Sequence, residues 1–282
     1  MPKHILVATD LSPRSDRAVF RAVRLAREHQ ARLSFVHVQD DSLPDDLLAV
    51  RQASAIEQLE RFAAHVADGL DYSLLPCIGS PAATLIETIQ DQAPDLLVIG
   101  VHRPRSLLDE WRETTAQRVV RMTDCPVLVV RAPDDHAYET IIAATDFTPA
   151  ATAALNLGHR LAPSARIVPL NALHIPYEAL LGAGGAVAMS TNTISASFRA
   201  EAQDADSAWR AHHALPIGLG HTLFPEAGPF LAVANAVTET GAHLITVGAH
   251  GRTGAHRSLL GSVATDLMRN PPCDILIARP IA

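Results

Sequence analysis

The chain repeats itself, and this limits its fold more than any other feature. His4-Ile-Leu-Val-Ala-Thr-Asp10-Leu-Ser-Pro13 is matched by Thr140-Ile-Ile-Ala-Ala-Thr-Asp146-Phe-Thr-Pro149. Asp95-Leu-Leu-Val-Ile-Gly100-Val-His102 is matched by His243-Leu-Ile-Thr-Val-Gly248-Ala-His250. Cys125-Pro-Val-Leu-Val-Val-Arg131 is matched by Cys273-Asp-Ile-Leu-Ile-Ala-Arg279, and Gly79-Ser-Pro81 by Ala227-Gly-Pro229. Four matches in the same order point to a tandem duplication. The break falls in the short polar, proline-containing segment from Ala132 to His136. Two domains are therefore expected, 1–135 and 136–282.

Within the first half, apolar runs alternate with helical patterns. Strands are expected at 4–9, 32–38, 72–77, 95–100 and 126–131. Their consecutive apolar residues suit a sheet covered on both faces. Ser12-Pro13 reads as a cap and first helical residue, leading a helix to about His29. Further helices are expected over 43–68, from Gly79-Ser80-Pro81 to Gln92, and around 114–122. Alternating strands and helices imply an α/β fold with parallel sheets and helices on both sides. The second half carries one long extra piece, 173–192, with Gly182, Gly184, Gly185 and many small residues. It reads as a mobile surface loop ahead of a helix over 195–213, and a flap over a ligand is the alternative.

With 48% hydrophobic and 19% charged residues, the chain can bury a substantial core. A net charge of −7 argues against sequence-independent nucleic-acid binding, which needs a basic face. No apolar run approaches membrane-spanning length, and the apolar run at the start is too short for a signal peptide. A cytoplasmic location is expected. Cys77, Cys125 and Cys273 lie far apart with no C-x-x-C pair, so neither a disulfide framework nor a thiolate zinc site is indicated. Cys125 and Cys273 read as small buried apolar residues. His212 and His213 diverge on a helix, and His250 and His256 read as surface or anion-proximal groups, so no metal site is expected.

The segment with the most chemistry runs from Gly248 through Gly251, Gly254 and Gly261 to Ser262 and Val263. An apolar strand leads into it and a helix follows it. Free backbone N–H groups and a positive helix end then face an anion, and Arg252, His256 and Arg257 add positive charge.

In these features the chain resembles a tandem member of the universal stress protein family over essentially its whole length. The resemblance rests on Asp10 and Asp146, on the strand–helix alternation, and on the glycine-rich loop. ATP-binding members carry Gly, two residues, Gly, nine residues, then Gly-Ser/Thr, and Gly248, Gly251, Gly261 and Ser262 fit that spacing. The resemblance implies two doubly wound five-stranded parallel-sheet domains of strand order 3-2-1-4-5. Ligands bind such sheets where the strand order reverses, between strands 1 and 4. It implies ATP, with or without Mg²⁺, in the second half. Ala144, Thr145 and Asp146 would hold the adenine end and Ala172 would line the base pocket. Val247 and Gly248 would also contact the nucleotide, and the amides of Ser262 and Val263 would face phosphate. Gly248 allows close approach of the ligand, and Gly251 the positive φ of a tight turn. The Ser262 hydroxyl can instead cap the helix, and Asp146 can cap the helix that follows it. Ala264 departs from the family, which often has a hydroxyl there.

The first half departs further. Arg103 stands where the second glycine would be and Glu113 where the third would be, so a carboxylate meets the phosphate position. No ATP site is expected there, although Asp10 and Thr114 survive. Arg103, Arg105 and Arg112 either bind a different anion or form a solvated loop against the other half. Three functions remain open. One is an ATP-binding stress or regulatory protein whose occupancy changes loop order and contacts with an unidentified protein partner. Another is a slow ATPase or self-phosphorylating enzyme with Ser262 as acceptor, although a Walker lysine and an obvious base are missing. The last is a dimerisation scaffold without nucleotide. The family also pairs domains through their last strands, so 127–130 is expected beside 275–278 in an intrachain pseudo-dimer. A further homodimer is open.

Overall fold

A computed structural model describes residues 1–42, 44–101, 114–133, 136–173, 185–250 and 260–280, the side chains of 45, 46 and 185–194 excepted. The first half runs β1 (His4–Ala8), α1 (Asp16–His29), β2 (Arg32–Gln39), α2 (Asp45–Val66), β3 (Tyr72–Ile78), α3 (Pro81–Gln92), β4 (Leu96–Gly100), α4 (Thr115–Met122) and β5 (Val127–Val130). The second runs β6 (Thr140–Ala144), α5 (Pro149–Leu161), β7 (Arg166–Leu170), α6 (Gly185–His212), α7 (Pro229–Thr240), β8 (Leu244–Gly248), α8 (Ser262–Arg269) and β9 (Asp274–Ala278).

The strands form one sheet of order β3-β2-β1-β4-β5-β9-β8-β6-β7. Pairing is parallel within each half, and β5 meets β9 antiparallel, with Val127 opposite Ile277 and Val129 opposite Ile275. The expected pairing of the last strands is therefore formed inside one chain. Side chains alternate between the two faces of a strand, so the sheet has a core on each side. One holds Ile5, Val7, Leu96 and Val98 with α1, α2, α5 and Trp209 of α6. The other holds Leu6, Leu97, Ile245 and Ile275 with α3, α4, α7 and α8. Both cores cross the boundary between the halves.

A buried charge ties the halves together. Asp274, fully buried on β9, accepts from the N–H groups of Arg131 and Ala132 at 2.8 and 3.0 Å, and from the Tyr138 hydroxyl at 2.7 Å. Arg21 of α1 pairs with it at 3.5 Å and lies over the Tyr138 ring. Burying a carboxylate is costly unless its lone pairs are used, and here Arg21 and Arg131 come from the first half, Ala132 from the connecting segment and Tyr138 from just after it.

Three expectations need correction. The third strand of the second half is reduced to one parallel bridge, Leu170 to Leu223. Pro216, Gly218, Gly220 and Pro225 surround it, and proline and glycine both interrupt a ladder. Secondly, α6 begins at Gly185, so the last part of the expected loop over 173–192 is helical, while 174–184 lies outside the described residues. The small residues that suggested a soft loop include several alanines, the strongest helix former. Thirdly, α1 starts at Asp16 rather than beside Ser12-Pro13, because the Ser12 carbonyl accepts from the N–H groups of Ser15 and Asp16 in a preceding turn.

Candidate functional site

At the carboxyl ends of β6 and β8 lies a cavity of about 450 Å³. This is where the strand order of the second half reverses, and the volume is within the range of small-molecule sites, roughly 300–1,000 Å³. Its wall includes Ala144, Thr145 and Asp146 from the end of β6, and Ala172 beyond β7. It also includes Val247 and Gly248 of β8, then Gly261, Ser262 and Val263 at the start of α8. Gly251, with Arg252, Gly254, His256 and Arg257, lies outside the described residues.

The Asp146 end is set by a chain of hydrogen bonds. The Trp209 Nε1–H donates to Thr152 Oγ1 at 2.7 Å, and the Thr152 hydroxyl to the Thr148 carbonyl at 2.9 Å. The Thr148 hydroxyl donates to Asp146 Oδ1 at 2.6 Å and accepts from the Ala151 N–H at 3.3 Å. Thr148, not Asp146, is thus the cap of α5, and Asp146 supports the cap through an Asx turn. Phe147 sits between them at φ 65°, a left-handed conformation rare outside glycine. Asn171 donates to the Thr145 carbonyl at 2.8 Å and holds the end of β7 against that of β6.

The opposite end is the start of α8. Gly261 is its N-cap at φ −61°, ψ 150°, and among the described residues no side chain caps the helix. Ser262 is the first helical residue, so it does not cap, contrary to one of its two expected roles. Among the described residues the amides of the first turn therefore have no capping side chain, and Gly261, Ser262 and Val263 border the cavity. The Gly261 N–H donates to the Ala249 carbonyl at 2.8 Å, which brings His250 beside the helix start. His250 also lines the cavity, and its Nε2 lies 3.5 Å from Arg279 Nη1. Gly248 has a further reason to be glycine besides the expected close approach of a ligand. A Cβ there would meet Ala151 N at 2.8 Å and Ala150 C at 2.9 Å, so the missing side chain admits α5. Ala264 is buried and packs into the core below.

Sequence reasoning missed the α6 wall. Phe198, Glu201, Ala202 and Ala205 line the cavity at i, i+3, i+4 and i+7 spacing. That stripe was a legible helical signal. Its place over the site depends on tertiary ties: Arg199 pairs with Glu226 at 2.7 Å, and Arg210 donates to Thr222 and Gly220 at 2.9 and 2.7 Å.

The first half has a corresponding cavity of about 200 Å³, which includes Asp10, Gly100 and Thr115. Burial opposes ionisation of Asp10, but hydrogen bonds from Ser12 and Ser15 outweigh it and hold the carboxyl below its ordinary range. Arg103, Arg105, Arg112 and Glu113 lie outside the described residues. Thr114 caps α4 in a complete capping box, accepting from the Gln117 N–H at 3.2 Å while the Gln117 side chain accepts from the Thr114 N–H at 2.9 Å. Burial pushes the Cys125 thiol up to about 12 and also raises that of Cys273, so neither is a ready nucleophile. Among the described residues, no cluster of His, Cys, Asp and Glu is placed to hold a metal, and no helix is long and apolar enough to cross a membrane.

Comparison with known proteins agrees with this architecture. A universal stress protein of Mycolicibacterium smegmatis is 25% identical over 98% of this chain and 97% of its own length. A universal stress protein A homolog of Haemophilus influenzae is 30% identical, and its full length covers 48% of this chain. Among solved structures, a universal stress protein from Archaeoglobus fulgidus has a TM-score of 0.70 at 14% identity, covering 98% of this chain and 96% of that one. A putative universal stress protein from Pseudomonas aeruginosa has a TM-score of 0.67 at 17% identity, covering 99% and 94%. These two show likeness of fold alone. The family model for universal stress proteins matches twice, over residues 1–131 and 137–279. With two matches that together span nearly all of its length, the chain belongs to the universal stress protein family.

Proposed function

We propose that the second half, 136–282, binds an adenine nucleotide, ATP foremost, and that the first half, 1–135, is a scaffold that has lost this site. The protein would serve as a cytoplasmic stress-response regulator that reads nucleotide occupancy. The observation that carries this reading is the shape of the larger cavity. At one end are Asp146 and Ala172, at the other a helix start whose first-turn amides, among the described residues, lack a side-chain cap. A base and ribose fit the first end and a chain of phosphates the second. The spacing of Gly248, Gly251, Gly261 and Ser262 supports the same reading. Among the described residues the carboxyl groups on the wall are those of Asp146 and Glu201, and Asp146 Oδ1 already serves Thr148. That set is sparse for a prebuilt cage but suits Mg²⁺ that arrives with the phosphates.

The test is isothermal titration with ATP, beside native mass spectrometry of the purified chain. One nucleotide per chain is expected. Gly261→Glu puts a carboxylate at the helix start and should weaken ATP by at least about 100-fold, since like charges at contact cost several kcal/mol. A variant that binds as tightly as the parent sinks the proposal.

A further inference from the structure

Arg279 is the last residue but three of the chain and lies nine-tenths buried, at 8% exposure. Its Nη2 donates to the carbonyls of Val120 and Arg121 at 3.0 and 3.1 Å. These belong to the last turn of α4, in the first half. The carboxyl end of a helix carries partial negative charge and unmet carbonyls, so it holds a guanidinium well. Asp124, just beyond, is 4.0 Å from Nη1. The same Nη1 lies 3.5 Å from His250 Nε2. A guanidinium only donates, so in this contact Nε2 accepts and the imidazole proton sits on Nδ1. His250 is on the cavity wall, next to the residue whose carbonyl holds Gly261. The chain of contacts thus runs from the first half, through Arg279, to the phosphate end of the second half's cavity.

We propose that Arg279 is a positioning residue: clamped by α4 of the first half, it fixes the tautomer and orientation of His250, which contacts the ligand's phosphates. The first half then contributes to selectivity for phosphate in a site it does not itself line. This rests on the nucleotide reading above and deepens it. The corresponding residue in the first half, Arg131, donates from its Nη1 to the Pro272 carbonyl at 3.3 Å, and His102, which corresponds to His250, lies outside the described residues.

The experiment is titration of the full chain with adenosine, AMP and ATP, for the parent, His250→Gln, Arg279→Gln, Arg279→Lys and the double variant His250→Gln/Arg279→Gln. ATP should weaken about tenfold in each glutamine variant while adenosine stays within about twofold, a loss the size of one hydrogen bond to a charged group. Because Arg279 acts through His250, the double variant should lose no more than either single one. Arg279→Lys keeps the charge without the fork, and should fall between parent and Arg279→Gln. Equal weakening of adenosine and ATP, or additive losses in the double variant, would overturn the positioning role and leave the nucleotide reading standing. If Arg279→Gln does not fold, His250→Gln alone decides, with a parent-like ratio of ATP to adenosine affinity counting against the proposal. A parent that binds none of the three ligands would overturn both readings.

Discussion

At the ends of β1 and β4 the first half sets Ser15, Val38, Leu85 and Ile99 around a cavity of about 200 Å³. At the ends of β6 and β8 the second half sets Ala151, Ala172, Val233 and Val247, at the corresponding positions, around one of about 450 Å³. Four side chains are smaller in the second half. It also gains the stripe of α6, whereas none of the described side chains of α2 lines the first cavity. The junctions beneath are nearly the same. Leu11 and Phe147 both have positive φ, and Asp10 and Asp146 both accept from the residue two places on. His37 Nδ1 meets the Thr9 carbonyl at 2.9 Å as Asn171 meets that of Thr145. Duplication kept the turn that shapes the crevice, and the halves diverged in the side chains that fill it and in the helix end that closes it.

The largest test of that comparison concerns the last strands, where β9 begins with Asp274 and the corresponding residue ahead of β5 is Pro126. Asp274→Ala removes the acceptor of three hydrogen bonds and leaves Arg21 buried without its carboxylate. Breaking one side of a buried pair costs about 3–5 kcal/mol. Urea unfolding should register a loss of that size. A loss under about 1 kcal/mol would mean that the halves are held by β5–β9 pairing and apolar contacts alone.

Next come the two strand-end glycines. At Gly248 a Cβ meets backbone atoms of Ala150 and Ala151 within 3.0 Å, whereas at Gly100 the nearest atoms are at 3.5 Å. Gly248→Ala should therefore cost about 1–3 kcal/mol, in the range for overpacking. Gly100→Ala should stay within about 0.5 kcal/mol. Thermal unfolding of the two variants measures both, and equal shifts would show that the closer approach of α5 has no energetic meaning.

These glycines also show what the sequence could reveal. Both were legible as strand ends, because an apolar run stops at each. The reason Gly248 must be glycine was not, since it depends on α5 packing across the strand, a contact about 100 residues distant in sequence. Strand order and the residues from Ala144 to Val263 were expected from the resemblance to universal stress proteins, and the intrachain pairing of last strands from that resemblance together with the duplication. The α6 wall was hidden by tertiary placement, since Phe198 to Ala205 lie in the expected helix but reach the cavity only through the ties of Arg199 and Arg210, and only the start of that helix was hidden by composition. Ala186, Ala188 and their neighbours look like loop residues until the helix is continued back to Gly185. The shrunken third strand was hidden for the opposite reason: Leu223 is hydrogen-bonded like a strand residue, but prolines and glycines leave its segment no ladder.

The smallest effects separate the two helix starts. In α4 the Thr114 hydroxyl and Gln117 side chain engage the amides that an anion would use, whereas in α8 the N-cap is Gly261 and has no side chain to do so. Thr114→Val should cost about 1 kcal/mol of stability, as loss of a cap does. Ser262→Ala should cost less than about 0.5 kcal/mol, because its hydroxyl caps nothing. Chemical unfolding without ligand compares the two, and a Ser262→Ala loss matching that of Thr114→Val would mean that α8 is capped after all. Uncapping α4 should not create a second nucleotide site. Val38, Leu85 and Ile99 still narrow its cavity, and titration of Thr114→Val should return the parent's one nucleotide per chain. A second equivalent of bound ATP would show that the capping box, rather than the filled crevice, is what closed the first half.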